Sequence, residues 1–147
     1  MDHNLVIWNT RTSKIVRQYK LPNKIIDDLQ WCPDMTKCLL AVCNEEFVFL
    51  VAPELYRKDC SNFTKDLFQE ASESYKLDVA ANEKKQSLCK WRFNLKTKGK
   101  KDDKEEKDQQ LEKLDSQILV QMEFSTVISR LTWHPRGDYL STMAHNI

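Results

Sequence analysis

The chain has 147 residues, 41% of them apolar and 31% charged, which suits one soluble domain with a core and a large solvated portion. A formal net charge of +1 excludes a global electrostatic pull toward nucleic acid or an anionic membrane. No apolar run approaches the roughly 20 residues that span a bilayer, and Met1-Asp2-His3-Asn4 does not open a secretory signal.

Leu5-Val6-Ile7-Trp8 is a β-branched and aromatic run, and Lys14 to Lys20 a second; the turn-like Asn9-Thr10-Arg11-Thr12 between them predicts a hairpin. Ile25 to Trp31 reads as the next strand, with Ile25, Asp27, Leu29 and Trp31 on one face. Pro33-Asp34 marks a turn. Cys38 to Cys43 is almost wholly apolar, as in a strand buried on both faces. Asn44-Glu45-Glu46 turns the chain into Phe47 to Val51, and Pro53 ends that run. Only Gly99 and Gly137 are glycines, so most turns must use other residues.

Residues 54–92 lack clear β alternation. Phe63, Leu67, Phe68, Ala71 and Tyr75 recur at helical spacing behind a capping Asn62, which predicts a helix over about 62–75. Trp91 and Phe93 read as an aromatic pair anchoring a loop. Residues 96–116 hold seven Lys and seven Asp or Glu. Such a segment buries too little surface to offset the entropy of ordering, so disorder is expected there. Strand-like runs return at Gln117 to Phe124, Val127 to Trp133 and Tyr139 to Ala144, with a turn at Pro135-Arg136-Gly137-Asp138.

Two segments are alike: IIDDLQWCPDMTKCLLAV from Ile25 and VISRLTWHPRGDYLSTMA from Val127. Trp31 and Trp133 stand 102 positions apart, as do Pro33 and Pro135. A propeller blade repeats at about 40 to 45 residues. The excess matches the non-β stretch after Pro53, so the simplest arrangement is one four-stranded unit carrying a long insertion before its last strand.

Five cysteines without a C-x-x-C pair argue for reduced, mostly buried thiols rather than disulfides or zinc. His3, His134 and His145 do not stand at metal-ligand spacing, and His134 is expected to be structural. Asp27 and Asp28 are strand neighbours aimed at opposite faces, not a converging acid–base pair. Gly137-Asp138 reads as a turn, not a phosphate loop. Trp8, Trp31, Trp91 and Trp133 read as core anchors. No catalytic, cofactor-binding or metal-binding residue is expected, and the chain does not read as an enzyme. Arg11, Arg130 and Arg136 are the candidate contacts to RNA phosphates or a partner.

Leu5-Val6-Ile7-Trp8-Asn9 resembles the third strand of a WD repeat, with Asn9 in the usual Asp place. QWCPDMTKCLLAVCNEEFVFLVAP (30–53) and TWHPRGDYLSTM (132–143) together resemble the block-of-proliferation (Bop/Erb) family of WD-repeat proteins of large-ribosomal-subunit assembly. Trp31, Pro33, Cys38, Leu39, Ala41, Pro53, Trp91, Trp133, His134, Gly137, Asp138 and Tyr139 carry the likeness. The resemblance implies an all-β fold: a partial WD-repeat β-propeller of about two incomplete blades with a long charged, partly helical insertion. Residues 1–53 and 117–147 would supply propeller strands and residues 54–116 the insertion, in a fragment of a longer protein. It further implies a non-catalytic scaffold in processing of the large rRNA precursor, without cofactors, in the nucleus, nucleolus and nucleoplasm. Its partners would be a pescadillo-type protein, a Ytm-type WD-repeat protein, the pre-60S particle and rRNA. The alternative is a general WD-repeat adaptor, for example in translation initiation.

Overall fold

A computed structural model describes residues 4–21, 25–53, 55, 58–81, 89–94 and 116–144. Nine strands and one helix occur among them: β1 (Asn4–Asn9), β2 (Lys14–Lys20), β3 (Asp28–Trp31), β4 (Leu40–Asn44), β5 (Phe47–Val51), α1 (Lys58–Ala81), β6 (Cys89–Phe93), β7 (Ile118–Phe124), β8 (Ile128–Trp133) and β9 (Leu140–Ala144). All pairings are antiparallel. The fold is therefore mostly β, as expected.

A five-stranded sheet of order β3-β4-β5-β7-β6 lies between two hairpins, β1–β2 and β8–β9. Its central strands are buried on both faces, which is why β4 and β5 are apolar without alternation. Leu40, Val42, Phe49, Val51 and Ile118 pack with Leu5, Ile7, Tyr19 and Leu21 of the first hairpin and its exit. Ala41, Cys43, Val48, Leu50, Val120 and Met122 pack on the opposite side with Ile128 and Leu131 of β8. The Tyr19 hydroxyl donates to the Gln117 side-chain carbonyl, so its polar tip is satisfied although the ring is buried.

The scarcity of glycine shows in the turns. Ser13 and Glu45 adopt φ of 58° and 52° in the β1–β2 and β4–β5 turns, at a cost of about 1 kcal/mol or more each. Asn9 eases the first turn by accepting the Arg11 and Thr12 backbone N–H groups on its side-chain oxygen.

Three sequence expectations need correction. The helix predicted over 62–75 runs from Lys58 to Ala81, because no Pro or Gly stands between Pro53 and Gly99 to stop it. Trp91 and Phe93 do not sit in a loop but on β6, where Cys89, Trp91 and Phe93 alternate with Lys90 and Arg92. The tryptophans are largely not core anchors: Trp8 is 58% exposed, Trp31 45% and Trp91 39%. Trp133 alone of the four packs against the core cluster, partly buried. Of the segment expected to be disordered, 96–115 lies outside the described residues; Ser116 stands in the turn into β7.

Candidate functional site at the junction of the repeated segments

The two similar segments lie side by side, with β8 packed on β3 and β4. β3 is an edge strand, so its outward backbone groups are free to meet a neighbour. The Trp133 indole N–H donates to the Gln30 carbonyl at 3.0 Å. The Asp28 carboxylate accepts the Leu131 N–H on one oxygen at 2.9 Å and the Leu29 N–H on the other, also at 2.9 Å. Leu29 and Leu131 hold the same place in the two copies, so one carboxylate caps the same backbone donor twice. Asp27, just before β3, instead accepts the Glu45 N–H at 3.1 Å. The Asp27-Asp28 pair is thus divided between two structural tasks.

The far end of the junction is polar. Lys37 Nζ donates to the Gly137 carbonyl at 2.9 Å and to Asp138 at 3.0 Å, and stands 3.8 Å from Asp34. Asp34 accepts from the Thr36 hydroxyl at 2.6 Å and the Thr36 N–H at 3.0 Å. These two hydrogen bonds, with smaller help from Lys37, hold its carboxyl below the ordinary aspartate value. Gly137 has φ of +74°, and an added Cβ would lie 2.8 Å from Asp34 Cβ and from Cys32 Sγ. The turn therefore requires glycine for conformation and for space.

His134 is structural. Its Nδ1 accepts the Arg136 backbone N–H at 3.2 Å, its backbone N–H donates to the Tyr139 carbonyl, and its ring meets the Tyr139 ring edge-on at 5.9 Å. Burial pushes the Cys43 and Cys89 thiols up to about 11 and raises Cys32 as well, so these thiols stay protonated near neutral pH rather than acting as nucleophiles. Among the described residues no group of three His, Cys, Asp or Glu is placed to hold a metal ion.

The three candidate arginines stand on two hairpins. Arg11 lies in the β1–β2 turn, lining an open cavity of about 360 Å³ with Trp8, Val16 and Leu55. Arg130 is exposed on β8, opposite Met143 of β9. Arg136 projects from the β8–β9 turn with its side chain 80% exposed, 3.6 Å from Asp138. Of the residues that tie the junction, the sequence reads Asp28 only as a strand carboxylate and Asp138 only as a turn residue, and it does not mark Lys37 at all. The repeat register held the signal: Asp28 and Arg130 occupy the same position in the two copies but carry opposite charge.

The geometry defines a class: an antiparallel, layered β protein in which two similar segments are joined side by side through β3 and β8. No family model matches the chain. Over 97% of its length, however, it is similar to curated ribosome biogenesis proteins. It is 30% identical over 153 residues to the ribosome biogenesis protein ERB1 of Phaeosphaeria nodorum. It is 26% identical over 142 residues to the BOP1 homolog of Drosophila mojavensis and 28% to that of Drosophila persimilis. The chain is thus a relative of the Bop/Erb proteins, and it spans 16–17% of the length of these curated relatives.

Proposed function

We propose that the chain forms part of a WD-repeat β-propeller and serves as a non-catalytic scaffold in assembly of the large ribosomal subunit. The observation that carries this reading is the likeness, over 97% of the chain, to proteins named for ribosome biogenesis. The junction of the repeats supports it physically. Copies of one segment stacked through Gln30–Trp133 and Asp28–Leu131 are what consecutive blades of one propeller would present. In this reading β3, β4, β5 and β7 are the four strands of one blade, and β1–β2 and β8–β9 belong to its neighbours. Residues 54–116 are an insertion before the fourth strand, adding α1 and β6.

The role proposed is docking, within a complex with a pescadillo-type protein and a Ytm-type WD-repeat protein on the pre-60S particle, in the nucleolus and nucleoplasm. Rigid strands fix the geometry while turns make the contacts. Near-neutral charge means that RNA affinity rests on local side chains, and Arg11, Arg130 and Arg136 are proposed for it. Depleting the protein that carries this chain tests the reading. The expected result is accumulation of large-subunit rRNA precursors while small-subunit rRNA matures normally. Unchanged precursors with a cytoplasmic protein would replace it with a general adaptor, for example in translation initiation.

A further inference from the structure

β6 is the outer edge strand of the five-stranded sheet. Its register places Lys90 opposite Glu123 and Arg92 opposite Gln121, and the Asn94 N–H donates to the Leu119 carbonyl at 2.8 Å. Antiparallel alternation then directs the Lys90 and Arg92 backbone groups toward β7, and those of Cys89, Trp91 and Phe93 outward. An edge of this kind is a template for another strand unless it is covered.

Among the described residues, one side chain of α1 meets this edge. The Trp91 N–H donates outward to the Tyr75 hydroxyl of α1 at 3.2 Å. Tyr75 is held there by its ring, whose centroid lies 6.4 Å from that of Trp91 and 5.9 Å from that of Phe93. The helix carrying it is seated along one stripe. Thr64 is fully buried and donates from its hydroxyl to the Lys37 carbonyl at 2.7 Å, Phe68 packs on the core, and Ser72 is buried. Beyond Tyr75 the stripe ends, and Lys76 to Ala80 are all exposed.

The chemistry of the edge states what fits it. Lys90 and Arg92 are exposed on one face; Lys90 stands opposite Glu123 of β7 without forming an ion pair with it, and Arg92 stands opposite the uncharged Gln121, so the face keeps a positive excess. A second copy of β6 pairing antiparallel about Trp91 would set Lys90 against Arg92 twice, which like charges disfavour. An extended strand with acidic residues at alternate positions would instead neutralise both. We propose that the outer edge of β6 is a strand-addition site for an extended acidic segment, held shut by the Tyr75 hydroxyl. This stands independently of the ribosomal reading, because it uses only the sheet edge and α1.

The test compares the whole 147-residue chain as wild type, Tyr75→Phe and Tyr75→Ala. Tyr75→Phe keeps the ring and deletes only the acceptor, so it preserves the fold if Tyr75→Ala does not. Amide exchange at Trp91 should accelerate about tenfold in Tyr75→Phe, while Lys90 and Arg92, bonded to β7, keep their protection. The binding probe is a capped peptide of alternating Val and Glu, with a Val–Lys peptide as its counterpart. The acidic peptide should bind both variants, and Tyr75→Ala about fivefold or more tighter than wild type. Unchanged Trp91 exchange in Tyr75→Phe would overturn the shutter. Equal binding of the two peptides, no binding by either variant, or concentration-dependent pairing of the variant chain with itself would overturn the acidic occupant.

Discussion

The Trp133 indole N–H and the Gln30 carbonyl meet at 3.0 Å across the junction of β8 and β3. This single bond joins a side chain of the second repeat copy to the backbone of the first. Trp133 is the one tryptophan of the four that packs against the core cluster. Replacing it with Phe removes the donor and part of the packed surface. The expected loss is about 1–3 kcal/mol of unfolding free energy, measured by denaturant titration. Trp31→Phe, at the same repeat position but with no described acceptor, should change stability by less than about 0.5 kcal/mol. Equal losses would show that the Gln30 contact contributes nothing.

Asp28 caps two backbone donors at once, the N–H groups of Leu29 and Leu131. Asp28→Ala leaves both without this acceptor and should destabilise the chain by about 1–3 kcal/mol. Asp27→Ala removes a single contact to Glu45 and should cost less. Amide exchange provides the local check: Leu131 should lose protection in the first variant and keep it in the second.

Gly137→Ala should cost about 2 kcal/mol or more, combining the left-handed backbone penalty with a 2.8 Å approach to Asp34 Cβ and Cys32 Sγ. A shift in the thermal midpoint reads this directly. A double variant that also replaces Cys32 with Gly relieves one of the two close contacts but leaves the backbone strain, so it should recover only part of the loss relative to Cys32→Gly alone.

Asp34 and Cys43 predict opposite pH windows. The folded Asp34 carboxyl titrates below its ordinary value of 3.8 because Thr36 donates to it twice. As pH falls, the unfolded chain takes up this proton first. The contribution is therefore complete above about pH 4–5 and is lost as pH drops through the folded value. Thr36→Val should flatten that acid slope. Cys43 is raised from 9.0 to about 11 by burial, so its contribution is complete below pH 9 and lost as pH rises toward 11. The stability gap between wild type and Cys43→Ala should stay constant from neutral pH to about 9 and narrow above it. A gap that widens there would contradict the burial argument.

What the sequence determined by itself was every described strand except β6, and the repeat. The apolar runs Cys38–Cys43 and Phe47–Val51 signal strands buried on both faces, and the spacing of Trp31 and Trp133 marks two distant segments as copies of one pattern. These are legible because hydrophobic periodicity and local turn chemistry act within a few residues. The five-residue β6 alternation was also present in Cys89-Lys90-Trp91-Arg92-Phe93, but its short length and mixed polarity gave it no weight beside a long helical pattern. Only the tertiary structure decided that β6 enters the sheet outside β7, that Tyr75 reaches its outward edge, and that Asp28, Lys37 and Asp138 tie the repeats together. Those contacts join residues 16 to 103 positions apart. Partners at such separations are selected by the packing of whole sheets, and no local pattern of residue types encodes which donor will face which acceptor.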